Sequence, residues 1–93
     1  MEKPLIEKVR QALVAACTPD PHPDIQLDPV EPDRVAGLVL SSTFVGLSPS
    51  ERQARLWQCL DASLTPYERT RIVFIVADTP EEHAALQEAR RAS

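Results

Sequence analysis

Residues 44–57, FVGLSPSERQARLW, decide how the chain is read. The apolar run before them ends in Ser41-Ser42-Thr43, Gly46 turns the backbone, and a sharply signalled helix begins. Ser48 is placed to cap that helix, Pro49 suits its first position, and Glu51 completes an S-x-x-E capping box. The spacing predicts a helix from Pro49 to about Ser63. Its inward stripe is Trp57, Leu60 and Leu64 with Leu56 beside it, while Arg52, Arg55, Gln58 and Asp61 point elsewhere.

Upstream, Leu5, Val9, Ala12, Leu13 and Ala16 recur at helical spacing and predict a helix over Leu5–Cys17. Thr18-Pro19 ends it, because a residue before proline is pushed out of the α region. Residues 18–34 hold five of the nine prolines and five of the fourteen acids. A central strand is excluded through most of this proline-rich acidic loop. Ile25-Gln26-Leu27 alternates as a short edge strand, Val30 continues it irregularly, and Glu31-Pro32-Asp33 forms the turn that follows. Val35–Ser42, VAGLVLSS, reads as a strand apolar on both faces, with Gly37 a place where another backbone approaches closely.

Downstream, Thr65-Pro66-Tyr67-Glu68 repeats the cap, but an apolar strand pattern follows it, so a single turn is expected. Arg71–Asp78, RIVFIVAD, is the clearest strand and, being apolar through its middle, is expected at the centre of the sheet. Thr79-Pro80-Glu81-Glu82 caps a last helix whose early acids and late Arg90-Arg91 complement the macrodipole. Only Leu86 and alanines offer that helix a packing face, so it is expected to be peripheral and frayed. The sum is an α+β fold: one small α-β-β-α-β-α domain over residues 1–93, a three-stranded sheet with helices packed on one face.

Bulk properties narrow the function classes. The 93 residues carry a net charge of −4, which argues against non-specific attraction to nucleic acid or anionic membrane. No apolar stretch is long enough to span a bilayer, and MEKPLIEKVRQ is too polar for a signal peptide, so a cytoplasmic protein is expected. Cys17 and Cys59 belong to no C-x-x-C or Cys/His pattern and are expected as free thiols. His22 sits between Asp20 and Asp24 in a solvated loop, and His83 lies in a helix's first turn. Neither gathers the several oriented ligands a metal needs. No serine has a base nearby in sequence, and no G-x-S-x-G, phosphate loop or H-E-x-x-H occurs, so no enzyme is expected.

With the residues laid out this way, the chain resembles the BolA family. The leading helix Leu5–Cys17, the strand Val35–Ser42, the turn Phe44-Val45-Gly46, the pair Arg52-Gln53, the strand Ile72–Ala77 and Thr79-Pro80-Glu81-Glu82 carry the likeness. The spacing from Phe44 through Arg52 to Leu60 matches without a gap, and the resemblance covers nearly the whole chain. It implies a fold like a class II KH domain. It also implies a role beside monothiol glutaredoxins in sharing or relaying a [2Fe–2S] cluster, or in transcriptional regulation.

The departures fall where the cluster chemistry would lie. The family's histidine after the helix arginine is Gln53 here, and the histidine at the start of the last strand falls on or near Arg71. Glu31-Pro32-Asp33 supplies no counterpart to the hairpin's Cys or His, and the aromatic after T-P-E-E becomes His83. Iron in such clusters needs thiolate or neutral imidazole, and a guanidinium has no lone pair to offer. The expectation is a BolA-like adaptor or regulator in iron–sulfur and redox homeostasis, with a glutaredoxin partner but no resident cofactor and no conventional ligation of a shared cluster.

Two alternatives belong to other classes. Arg52, Gln53, Arg55, Arg69 and Arg71 would offer nucleic acid a KH-like groove if the second helix and last strand bring them together, although no G-x-x-G loop or run of stacking aromatics accompanies them. The bland reading of the same arginines is a solvated face paired with nearby acids. The two-sided apolarity of both strands would otherwise leave a patch for a partner or a homodimer, unless the proline-rich loop folds over it.

Overall fold

The structure, a computed structural model, describes residues 4–92. Helix α1 (Leu5–Ala16) leads into a hairpin of β1 (Asp24–Val30) and β2 (Arg34–Leu40). A 3-10 turn (Ser42–Phe44), α2 (Pro49–Ser63), the one-turn α3 (Pro66–Arg69), β3 (Ile72–Asp78) and α4 (Pro80–Ala92) follow. The sheet order is β1-β2-β3, with β1 antiparallel and β3 parallel to β2. The α+β architecture read from the sequence is the one observed.

Local chemistry explains the boundaries. Reciprocal capping boxes start α2 and α3: Ser48 Oγ accepts from Glu51 N while Glu51 Oε1 accepts from Ser48 N, and Thr65 and Glu68 repeat the exchange. Caps of this kind contribute about 1 kcal/mol each. Thr79 and Glu82 make the same pair of bonds at the head of α4. Asp33 closes the hairpin turn at φ 56, a left-handed conformation that aspartate tolerates. Gly46 sits at φ +81 with nothing within 4 Å of where a Cβ would stand, so its glycine answers to backbone conformation alone.

The core lies between α1, α2 and one face of the sheet. Val9, Leu13, Val39, Phe44, Leu56 and Leu60 are wholly buried there. Each contributes roughly 1.5–3 kcal/mol on burial, so the core outweighs the caps. Phe44, from the opening stretch, is among the largest fully buried side chains. At Gly37 a Cβ would meet Leu27 Cδ2 at 2.8 Å, so a side chain rather than a backbone makes the close approach.

Three details depart from the sequence reading. The stretch expected to be mostly loop forms a continuous seven-residue β1, which extends the sheet instead of folding over it. Proline is tolerated because β1 is an edge strand: Val35 N donates to Arg71 O, so the alternating pairing turns Pro29 towards solvent, where a missing N–H costs nothing. β3 is the other edge, not the centre, because β2 pairs with both neighbours. Finally, Arg52 belongs to the buried stripe Arg52–Leu56–Leu60 of α2, while Trp57 is half-buried at its border.

Candidate functional site

The five residues expected to form a binding groove are placed one by one against other parts of the fold. Arg52, only 8% exposed, donates through Nε to Leu47 O at 3.0 Å and through Nη1 to Ala77 O at 3.2 Å. Its two Nη atoms also grip Glu82 at 2.6 and 3.0 Å. Gln53 Nε2 donates to Ile75 O at 2.7 Å. Arg55 bonds Ala16 O and Thr18 O, both at 2.7 Å, and so satisfies carbonyls at the end of α1. Arg69 pairs with Asp61 at 2.8 Å. The Arg71 guanidinium lies over the Tyr67 ring, 4.7 Å from its centroid, and donates to the Tyr67 hydroxyl. Arg52 reaches the C-terminal end of β3 and Arg71 precedes its first residue, so these arginines do not converge on one groove.

Arg52 and Gln53 have a shared structural consequence. The carbonyls they cover, Ile75 O and Ala77 O, point away from β2 on the sheet edge. On the opposite edge Arg10 Nη1 donates to Ile25 O at 3.1 Å. Side-chain donors and Pro29 thus blunt both edges against strand addition. The Arg52–Glu82 grip also ties α2 to α4 and explains the last capping motif: one carboxylate serves Thr79 N and the guanidinium together. The Arg52 guanidinium, helped by the Thr79 N–H, holds the Glu82 carboxyl down at about 2. The cap is legible in the sequence; its partner in α2 is not.

A different constellation does converge. Where the hairpin turn meets the start of β3, a groove of about 580 Å³ opens. Leu5, Ile6 and Lys8 of α1, Asp33, Arg34 and Val35 of the hairpin, and Thr65, Tyr67, Glu68 and Arg71 line it. Lys8 pairs with Glu68 at 2.8 Å, and the Lys8 ammonium holds the Glu68 carboxyl below the usual range. Arg34 makes no side-chain hydrogen bond or ion pair among the described residues. Arg71 is a candidate on the sequence alone; Arg34 is not, since it lies at a strand start and only the fold brings it to the same groove. By the family resemblance, the hairpin and the start of the last strand are where cluster ligands would stand. Among the described residues no cysteine or histidine lines the groove, so its residues do not fit an iron–sulfur cluster.

The second surface is the sheet face opposite α1 and α2. Phe74 there is 54% exposed, Val76 is also exposed, and Ala36 and Leu38 flank them across β2. Asp24, Gln26 and Asp28 of β1 give the same face a polar side. Helix α4 runs alongside: His83 and Gln87, 3.1 Å apart, share grooves with these strands, while Leu86 remains exposed. As expected, α4 is peripheral.

The remaining chemistry-bearing residues are accounted for locally. Cys17 and Cys59 are free thiols, and burial pushes the Cys17 thiol up, away from the reactive thiolate. His22 is exposed, and its backbone N–H donates to Asp20 at 3.0 Å. That bond and one from Ser41 hold the Asp20 carboxyl below the usual range. Among the described residues no group of three or more His, Cys, Asp or Glu is arranged to hold a metal ion, and no helix is long and apolar enough to cross a membrane. The chain matches no family model, no curated protein and no solved structure.

Proposed function

We propose that the chain is a BolA-like, non-enzymatic adaptor or regulator that works through protein contacts and does not ligate a [2Fe–2S] cluster in the conventional way. The observation that carries this reading is the uncovered sheet face with half-exposed Phe74 and Val76 beside Leu38. Apolar side chains grouped on an open face are a means of binding another protein. The blunted edges favour a face-on contact over strand addition. The element order supports the family resemblance, and the groove at the hairpin and β3, lined without thiol or imidazole, supports the loss of ligation. By that resemblance the partner is a monothiol glutaredoxin, and the setting is cytoplasmic iron–sulfur or redox homeostasis, or transcriptional control.

Calorimetric titration of this protein with a purified monothiol glutaredoxin tests the partner. Saturable binding weakened by Phe74→Ser and Val76→Ser is the expected result. No binding, with salt-dependent retention of single-stranded oligonucleotide that Arg52→Ala or Arg71→Ala weakens, would replace the adaptor with a nucleic-acid module. Self-association that the same Phe74 and Val76 changes abolish would replace it with a homo-oligomeric role.

A further inference from the structure

The groove between α1, the hairpin and α3 has a chemistry that the adaptor reading does not use. Its floor is apolar, from Leu5, Ile6 and Val35, and Tyr67, 65% exposed, forms a wall. At about 580 Å³ it falls in the size range of small-molecule sites. Among the described residues the groove has three cations, of which only Lys8 has a carboxylate partner, Glu68. Arg34 has no side-chain partner among the described residues. Arg71 is braced by the Tyr67 ring and hydroxyl, neither of which neutralises it. A guanidinium held in this way has part of its fork committed to the phenol and the rest free to meet an anion.

We propose that this groove binds a small monoanionic carboxylate carrying an apolar body, with the carboxylate on Arg71 and Arg34 and the body on Leu5, Ile6, Val35 and Tyr67. Charge decides between carboxylate and phosphate. Among the described residues, Lys8, Arg34 and Arg71 against Asp33 and Glu68 leave one positive charge in the lining, which matches a monoanion and not a dianion. An arginine fork pairs bidentately with a carboxylate as it does with a phosphate, so the charge count alone makes the choice. The site is independent of the adaptor reading, since it lies at the hairpin end of the sheet while that reading rests on Phe74 and Val76 of the open face.

The test is a titration of the isotopically labelled protein, followed by amide shifts, with 4-phenylbutyrate, its neutral analogue 4-phenylbutanol, and phenyl phosphate. Saturable shifts centred on Ile6, Val35 and Tyr67 are expected with phenylbutyrate. The alcohol should bind about ten-fold more weakly or worse, and phenyl phosphate no more tightly than the carboxylate. Arg71→Gln should weaken phenylbutyrate about ten-fold and leave the alcohol unchanged. Arg34→Gln, at an exposed hairpin position, should weaken it several-fold and supplies the answer if Arg71→Gln fails to fold. Equal binding of alcohol and carboxylate, indifference to both substitutions, or shifts centred elsewhere would overturn the proposal. Tighter binding of the phosphate would overturn the choice of a monoanion.

Discussion

Alternate residues of the same three strands build two faces of opposite character. On one, Val35, Val39, Ile75 and Ala77 disappear beneath α1 and α2, where Leu13, Leu56, Leu60 and Phe44 close the core. On the other, Phe74 and Val76 stay half-open, with the acids of β1 beyond β2, and α4, exposed along nearly its whole length, does not seal them. Both faces carry apolar side chains from β2 and β3, so hydrophobicity alone does not separate them. The difference lies in what the helices can present. α2 carries a buried stripe in line with α1, whereas α4 has Leu86 and alanines and turns His83 and Gln87 towards the sheet. One face is finished by the chain itself, and the other stays open to solvent.

Substitutions on the two faces test that difference. Phe44→Ala removes a wholly buried ring from the finished face and should cost about 3–5 kcal/mol in chemical denaturation. A loss under about 1 kcal/mol would show that the covered face is no better packed than the open one. Arg52→Ala should cost about 2 kcal/mol, because it orphans the Leu47 and Ala77 carbonyls and frees α4 from α2. Hydrogen exchange should then rise first in α4.

Gly46→Ala should cost about 1 kcal/mol through strain at positive φ, with no packing change to accompany it. Acidification reads the same α2–α4 tie without a change in the core. The Glu82 carboxyl is held at about 2, below its unfolded value near 4.5. Its contribution is therefore fully present above about pH 4.5 and lost as pH falls towards 2. Glu82→Gln should flatten the acid limb of a stability profile, and an unchanged limb would place the linkage elsewhere. Smallest of all, Phe74→Ser should change stability by no more than about 0.5 kcal/mol, since its ring already meets water. A large loss there would mean that the open face is structural.

Much of this was legible in the sequence because it is local. Ser48-Pro49-Ser50-Glu51 and Thr65-Pro66-Tyr67-Glu68 name their own helix starts, and the caps form as read. The position of β3 was not legible, since an apolar strand looks central whether a second strand or the arms of Arg52 and Gln53 cover its edge. The full length of β1 is hidden for the complementary reason: prolines forbid a central strand but permit an edge. The site was half legible. Arg71 stood out, but its groove needs Arg34 and Leu5, which only the parallel pairing of β3 with β2 and the packing of α1 bring alongside. The set Arg52, Gln53, Arg55 and Arg69 looked alike as charges and amides, yet the structure gives each a backbone carbonyl or a carboxylate to hold.

An adaptor of the kind proposed above would meet its partner without contributing ligands to a cluster. The most direct measurement is a visible absorption and circular dichroism titration of [2Fe–2S]-loaded monothiol glutaredoxin with this protein, with complex formation followed in parallel. The expected result is a complex whose cluster spectrum matches that of the glutaredoxin alone. New histidine- or cysteine-type bands that grow with this protein would contradict it.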